Sequence, residues 1–411
     1  MKRLTARLIK AFFAFCLCLA CVTLLSSTGH SRDLSHSLAG KGQSSGGQTN
    51  SRSQRPADFF VGPAGKDTND GSQTHPWATI TYAGKVASPG SVIHVLAGTY
   101  NERVVTTANG TPDARIKYVS ERKWRAVIAP AAHGSVVWLN SGDYTDIDDF
   151  EIAGTDCNGI DLVGSHQRAI GNNVHNAADG CSNSSGGSAI ADGNYKSEDN
   201  NIIANYVHDV GVGDPLCAQT GHRTIQGIYQ SNRGGSIVNN LVVHNCVFGI
   251  HLWHAATHAT IINNTVVYNL GGGILVGTGD APCNEGGCPG GDDYTVVRNN
   301  IASFNGNPIL KGWGITESSG DVGIHNQYSN NLTYQNASGD FAVEHHLICE
   351  DCIQGKDPGF VDPFSGDFHL KADSPARARG SDRDAPRADI DNNSITGSLI
   401  DIGAYQGGRN Q

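Results

Sequence analysis

The stretch IVNNLVVHN at residues 237–245, followed by IINNTVVYN at 261–269, decides the fold of this chain. Similar phrases recur as IGNNVHN (170–176), IIANYVHD (202–209), VVRNNIASFN (296–305) and YSNNLTYQN (328–336). Each joins two short apolar strands through an asparagine-containing corner. A self-similar spacing of about 24 to 36 residues indicates a solenoid, in which every repeat packs on its neighbours.

The asparagines mark the corners, because Asn tolerates the left-handed backbone that a tight corner requires. Stacking is expected to place Asn173, Asn240, Asn264 and Asn300 in register, with their amides hydrogen-bonded along the axis. These residues are therefore predicted to be structural.

A second phrase accompanies each corner: GIDLV (159–163), AIADG (189–193), GIYQS (227–231), GIHLW (249–253) and GILVG (273–277). Alternation along a strand predicts that the isoleucines lie in the core and that the next residues form an outward row. That row is Asp161, Ala191, Tyr229, His251 and Leu275. Insertions that begin after Gly180, at 211 and at 278 are expected to form the walls of a cleft around Tyr229 and His251.

The N-terminus places four bases before the apolar run AFFAFCLCLACVTLL, a signal-peptide pattern too short to favour a membrane span. We predict a signal peptide over 1–28, a disordered Ser/Gly-rich linker over 29–57 and one folded domain over 58–406. Cleavage with release and lipid attachment at Cys21 both stay open, so the protein is expected to be secreted or held at the cell envelope.

The formal charge is −10, and the first 28 residues hold four bases and no acid, which leaves about −14 on the remainder. This charge disfavours nucleic acid and anionic membranes as partners. It also disfavours an acidic polysaccharide unless a cation bridges the two. We expect a monomer.

Eight cysteines follow the signal segment, and an even number in an exported chain suggests disulfides. Cys157 and Cys181, like Cys217 and Cys246, are separated by about one coil, while Cys283 and Cys288 close a short loop. For Cys349 and Cys352, half of a zinc site is the alternative to a disulfide.

The ends of the domain resemble the secreted bacterial β-helix proteins of the pectate-lyase-like superfamily. The resemblance rests on DFFVGPAGKDTNDGSQTHPWATI (58–80) and PGSVIHVLAGTYNERV (89–104), and on DPGFVDP (357–363), GDFHLKADSPA (366–376) and DIGAYQ (401–406). It implies an all-β fold, a single right-handed parallel β-helix, with a capping helix at about 77–86. It also implies a polysaccharide partner. Lyases of this type hold the substrate carboxylate with calcium and use Lys or Arg as the base.

Two groups of residues are candidates for a catalytic or sugar-binding site. Asp161 and Asp192, if they lie on adjacent coils, would share a calcium ion, with Lys196 as the base and Asp192 as a further catalytic candidate. The other joins His251, a candidate proton shuttle, to the sugar-binding candidates His222, Tyr229, Trp253 and His254.

The leading hypothesis is an exported polysaccharide lyase acting on a uronate-containing glycan. A glycoside hydrolase using two of Asp161, Asp179 and Asp192 is one alternative. A non-catalytic glycan-binding protein of the cell surface is the other.

Overall fold

The chain winds through short strands that return to the same three positions in every coil. A computed structural model describes residues 57–407 except 155, 180, 182–185, 215–216, 218–223, 279–291, 319–321 and 396. The predicted signal peptide, all but the last residue of the predicted linker, His222, Cys283 and Cys288 lie outside the described residues.

Successive coils stack their strands in parallel and form three long sheets. Sheet 1 contains Asp58–Val61, Val92–Val95, Ile116–Ser120, Thr145–Asp148, Arg168–Ile170, Asn201–Ile203, Ser236–Val238, Thr260–Ile262, Val296–Arg298, Gln327–Ser329 and Cys349–Glu350. Sheet 2 contains Val104–Thr106, Val136–Asn140, Asn158–Leu162, Gly187–Asp192, Ile225–Gln230, Phe248–Leu252, Gly272–Gly277, Trp313–Ser318 and Gly339–Ala342. Sheet 3 contains Gly98–Tyr100, Ala126–Ile128, Glu151–Ala153, Asn173–His175, Tyr206–His208, Leu241–Val243, Thr265–Val267, Ile301–Ser303, Leu332–Tyr334 and Ile353–Gln354. The predicted right-handed parallel β-helix is confirmed.

Stacked apolar side chains fill the space between the sheets. Ile160, Ile190, Ile228, Ile250 and Ile274 pair in register on consecutive strands of sheet 2 and are fully buried. The alternation predicted for these strands is thus confirmed, and it leaves the outer face of sheet 2 available for a site.

Buried asparagines run along the corner between sheets 1 and 3. Each amide donates to the next side-chain oxygen at 2.9–3.0 Å through Asn172, Asn205, Asn240, Asn264, Asn300 and Asn331. A second ladder, at 2.8–3.0 Å, joins Asn245, Asn269, Asn305 and Asn336. The prediction was wrong for Asn173, which lies one residue beyond the ladder and pairs with Tyr206 in sheet 3.

A short helix, Ile80–Val86, covers the N-terminal end of the solenoid, as expected. The hydroxyl of Thr79 accepts a hydrogen bond from the backbone N–H of Tyr82 and so caps the helix. Gly84 packs against Thr106 so closely that a Cβ would lie 2.6 Å from its methyl group. The helix therefore shields the first strand of sheet 2 from edge pairing.

The C-terminal segment folds back along the outside of the solenoid. It contains an antiparallel pair, Phe360–Asp362 and Asp367–Leu370, and a 3-10 turn, Pro363–Ser365. Ile402 and Leu370 pack with Leu241 and Ile301 of sheet 3, in an apolar cluster separate from the main core of the solenoid.

Disulfides join Cys157 to Cys181, Cys217 to Cys246 and Cys349 to Cys352. The zinc alternative for Cys349 and Cys352 is therefore wrong, because both sulfur atoms are oxidised. In the described ranges no helix has the length and apolar character needed to cross a membrane.

Candidate functional site

A cleft of about 1480 Å³ lies over the outer face of sheet 2. Outward side chains of successive strands form its floor. The middle row contains Asp161, Ala191, Tyr229, His251, Leu275 and Thr316, which pair in register and all line the cleft. The predicted outward row is thus present. Five strand spacings of about 4.8 Å make this row about 24 Å long.

Aromatic rings surround the centre of the row. The imidazole of His251 lies 5.5 Å from the ring of Tyr229, 5.3 Å from Phe248 and 5.1 Å from Trp253, measured between ring centroids. His254 lines the same cleft, with its ring 4.8 Å from Tyr195. The structure therefore brings Tyr229, His251, Trp253 and His254 together, while His222 lies outside the described residues.

His251 is an uncharged group in this setting. Its side chain faces the cleft but is only 7% exposed. Burial, and to a smaller extent the neighbouring His254, lower the pKa of its imidazole to about 3. A neutral ring is thus present at physiological pH.

Asp161 lies near one end of the cleft without a second acid beside it. Its partners on the adjacent strands are Leu139 and Ala191. Burial raises the pKa of the Asp161 carboxyl group to about 6, and the hydrogen-bonded side chain of Asn158 opposes this shift. Near neutral pH, Asp161 can therefore both accept and donate protons.

Asp192 does not face the cleft. Ala191 points outward opposite Asp161, so the next residue points to the inner side of the sheet. There the Asp192 carboxylate accepts hydrogen bonds from Asn200, at 2.8 Å, and from Asn232. Burial raises its pKa to about 7, although the two asparagines oppose the shift. Asp192 and Asp161 thus lie on opposite faces and are not positioned to share a cation.

Lys196 and Asp179 also stay outside the cleft. Lys196 is exposed in the turn after sheet 2, and it is absent from the described residues that line the cleft. Asp179 accepts a hydrogen bond from the backbone N–H of Gly213 at 3.0 Å and does not line the cleft either. The structure therefore assembles neither the Asp161–Asp192–Lys196 site nor a pair of aspartates for hydrolysis.

A calcium ion takes six to eight oxygen ligands, usually including several carboxylates. Among the described residues that line the cleft, the carboxylates are Asp161 and Glu317. Both Glu317 oxygens are occupied, by Asn326 at 2.9 Å, the Tyr328 hydroxyl at 2.7 Å and the backbone N–H of Glu344 at 2.7 Å. One isolated carboxyl group remains, and these residues do not fit calcium.

Tyr195, Lys311 and Trp313 are among the cleft residues that the sequence did not predict. Tyr195 is half-exposed beside His254, and Lys311 and Trp313 line the same cleft. Lys311 is the one lysine or arginine among the described residues of the lining. These residues lie at or beyond the ends of the regular strands, where alternation does not predict direction.

Two family models match parts of the chain. Residues 63–107 match a family described as "Protein of unknown function (DUF1565)", and residues 245–394 match one described as "Disaggregatase related". No curated protein matches the sequence significantly.

Solved structures match much more of the chain. Pectate lyase Pel9A has a TM-score of 0.56 and 18% identity over 85% of this chain and 96% of that one. A rhamnogalacturonan lyase has a TM-score of 0.53 and 14% identity, covering 74% and 90%. An alginate lyase from Paenibacillus sp. str. FPU-7 has a TM-score of 0.50 and 19% identity, covering 67% and 95%. The chain therefore shares the right-handed parallel β-helix fold of these solved structures.

Proposed function

We propose that this protein is an exported polysaccharide lyase that binds a uronate-containing glycan along the cleft of sheet 2. The observation that carries the proposal is the shape of the cleft, a row about 24 Å long with aromatic rings at its centre. Such a length suits several sugar residues in a line, and the rings of Tyr229 and Trp253 suit their C–H faces. The similar folds of a pectate, an alginate and a rhamnogalacturonan lyase support the same substrate class.

In β-elimination, a base removes the proton from the carbon beside the uronate carboxylate. The bond from the neighbouring carbon to the glycosidic oxygen then breaks, a C=C bond forms, and the leaving oxygen takes a proton from water. The base afterwards returns its proton to the solvent. We assign proton abstraction to Lys311, because it meets the geometric condition that Lys196 does not: it lines the cleft. It is also the one lysine or arginine among the described residues that line the cleft.

The cleft favours elimination over hydrolysis by two carboxylates. Hydrolysis of this kind needs two carboxyl groups that lie about 5 to 9.5 Å apart. In the described lining Asp161 has no such partner, because the other carboxylate, Glu317, lies five strand spacings away, about 24 Å. Non-catalytic glycan binding is the second candidate, favoured by the aromatic floor.

Export is supported by the disulfides. Three cysteine pairs are oxidised in the described structure, and such bonds persist mainly in oxidising compartments.

The test is incubation of the full chain with polygalacturonate, alginate, rhamnogalacturonan and neutral glycans, with and without chelator. Absorbance from the new C=C bond, unaffected by chelator, is expected with a polyuronate. New reducing ends without this absorbance would replace the lyase by a hydrolase. Binding without any shortening of the glycan would leave a binding protein.

A further inference from the structure

The imidazole of His251 sits at the centre of the cleft floor without a hydrogen-bond partner. Its side chain belongs to the outward row, between Tyr229 on one strand and Leu275 on the next. Within the described part of the chain, neither Nδ1 nor Nε2 has a partner, and both atoms are shielded from solvent.

Three aromatic rings surround the imidazole, and His254 lies nearby in the same cleft. Phe248 lies on the strand of His251, Trp253 follows the end of that strand, and Tyr229 contacts the imidazole edge-on from the neighbouring strand. By contrast, both nitrogens of His208 are paired, at 2.7 Å with Asp209 and at 3.1 Å with Asn173. Because burial of unpaired polar groups opposes folding, an apolar residue would fill this floor at lower cost.

We propose that His251 is the hydrogen-bonding floor of a central sugar subsite, where a sugar hydroxyl pairs with its imidazole and the C–H face of the ring packs on Tyr229 and Trp253. The inference rests on the proposed function and names the group bound at the centre of the same cleft. A neutral imidazole offers one donor and one acceptor, and a hydroxyl group matches both.

The same surroundings disfavour a charged group at this point. A carboxylate placed among Phe248, Leu275 and Trp253 would lose much of its hydration, and the neutral imidazole of His251 offers no opposite charge in return. The central subsite therefore takes the uncharged side of a sugar residue, and the uronate carboxylate points away from His251.

Binding requires a movement of the aromatic cover. The nitrogens of His251 are shielded, whereas Tyr229 and Trp253 are only half-buried. One of these rings has to turn aside when the sugar enters, and a change in tryptophan fluorescence is expected to accompany binding.

The experiment compares the wild type with His251→Phe, which keeps an aromatic ring and removes both nitrogens. The matched control is His208→Phe, on sheet 3, where the removed nitrogens are paired. Binding of oligogalacturonate and oligoalginate fragments is followed by stopped-flow tryptophan fluorescence before turnover, and stability by thermal unfolding.

His251→Phe is expected to raise the Tm and to weaken binding by about 5-fold for each hydrogen bond lost. His208→Phe is expected to lower the Tm and leave binding unchanged. The 15N signals of the wild-type His251 imidazole should shift when the fragments bind.

Unchanged affinity of His251→Phe, or a lower Tm, would overturn the inference while leaving the proposed function intact. If His251→Phe does not fold, His251→Leu takes its place, and failure of both shows that the fold itself needs the imidazole, which also overturns the inference. A wild type that binds none of the fragments removes the proposed function and the inference with it.

Discussion

Asp161 lies directly opposite Ala191 on the neighbouring strand of sheet 2, so Asp192 points to the other face of the sheet. One residue thus separates a carboxyl group that faces the cleft from one that is enclosed by Asn200 and Asn232. The two acids, adjacent in the coil stack, have different environments and different expected roles.

Asp192→Asn is expected to change the pH dependence of stability without changing activity. Burial raises the pKa of Asp192 to about 7, so from about pH 4 to 7 the folded chain keeps a proton that the unfolded chain has released. The stabilising contribution of this proton is full below the unfolded pKa and is lost as the pH rises through 7. Asparagine keeps an oxygen acceptor and does not titrate. As the pH rises from 4 to 7, the wild type should therefore lose stability relative to the variant, by up to about 1.4 kcal/mol per pH unit.

Urea unfolding of both proteins at pH 4, 5, 6 and 7 measures this difference. If the free energies of unfolding of the two proteins differ by the same amount at every pH, Asp192 does not retain its proton in the folded state. Loss of glycan cleavage in a folded Asp192→Asn variant would return this residue to the catalytic site.

Lys311→Ala is expected to lower the rate of elimination by at least about 100-fold, because general-base catalysis contributes about 10² to 10⁴. Lys196→Ala is the matched control, since Lys196 is exposed and outside the described lining of the cleft. Initial rates of unsaturated product formation distinguish the two. A slow Lys196→Ala beside a normal Lys311→Ala would reverse the assignment of the base.

The solenoid and the floor of the cleft can be predicted from the sequence because both follow from strand periodicity. Alternation places Ile160 inward and Asp161 outward, and the same rule places Asp192 inward once Ala191 is outward. The calcium site predicted for Asp161 and Asp192 was based on their positions in adjacent coils and did not take this alternation into account. Lys196 and Lys311 could not be placed, because turns outside the regular strands set their positions.

The asparagine corner shows a similar limit. Asn172 and Asn173 are adjacent, and the sequence pattern alone does not indicate which of them faces inward. The hydrogen bonds decide: Asn172 joins the ladder, whereas the Asn173 oxygen pairs with His208 outside it.

Asn172→Ala is therefore expected to destabilise the protein much more than Asn173→Ala. The Asn172 side chain accepts from the backbone N–H of Phe150 at 3.0 Å and donates to the carbonyl of Ile147 at 2.9 Å. In the variant the backbone N–H of Phe150 and the carbonyl of Ile147 both lose their partner, which lowers the free energy of unfolding by about 1–3 kcal/mol for each group. Asn173→Ala should lower it by less than about 1 kcal/mol. Free energies of unfolding in urea provide the comparison, and equal losses would contradict the ladder register.

His251 is expected to make the fold sensitive to acid. Its pKa is lowered to about 3 by burial, while an unfolded histidine titrates near 6.5, so between these values only the unfolded chain takes up the proton. Stability should therefore fall as the pH drops from 6.5 towards 3, by up to about 1.4 kcal/mol per pH unit from this group.

His251→Phe lacks the proton site, and its stability relative to the wild type should increase steadily as the pH drops over that range. Phe248→Leu, which alters the same ring cluster without a titratable group, should shift stability by a constant amount. Unfolding free energies at pH 4, 5, 6 and 7 test this, and a constant gap between wild type and His251→Phe would mean that the imidazole takes up its proton within the fold.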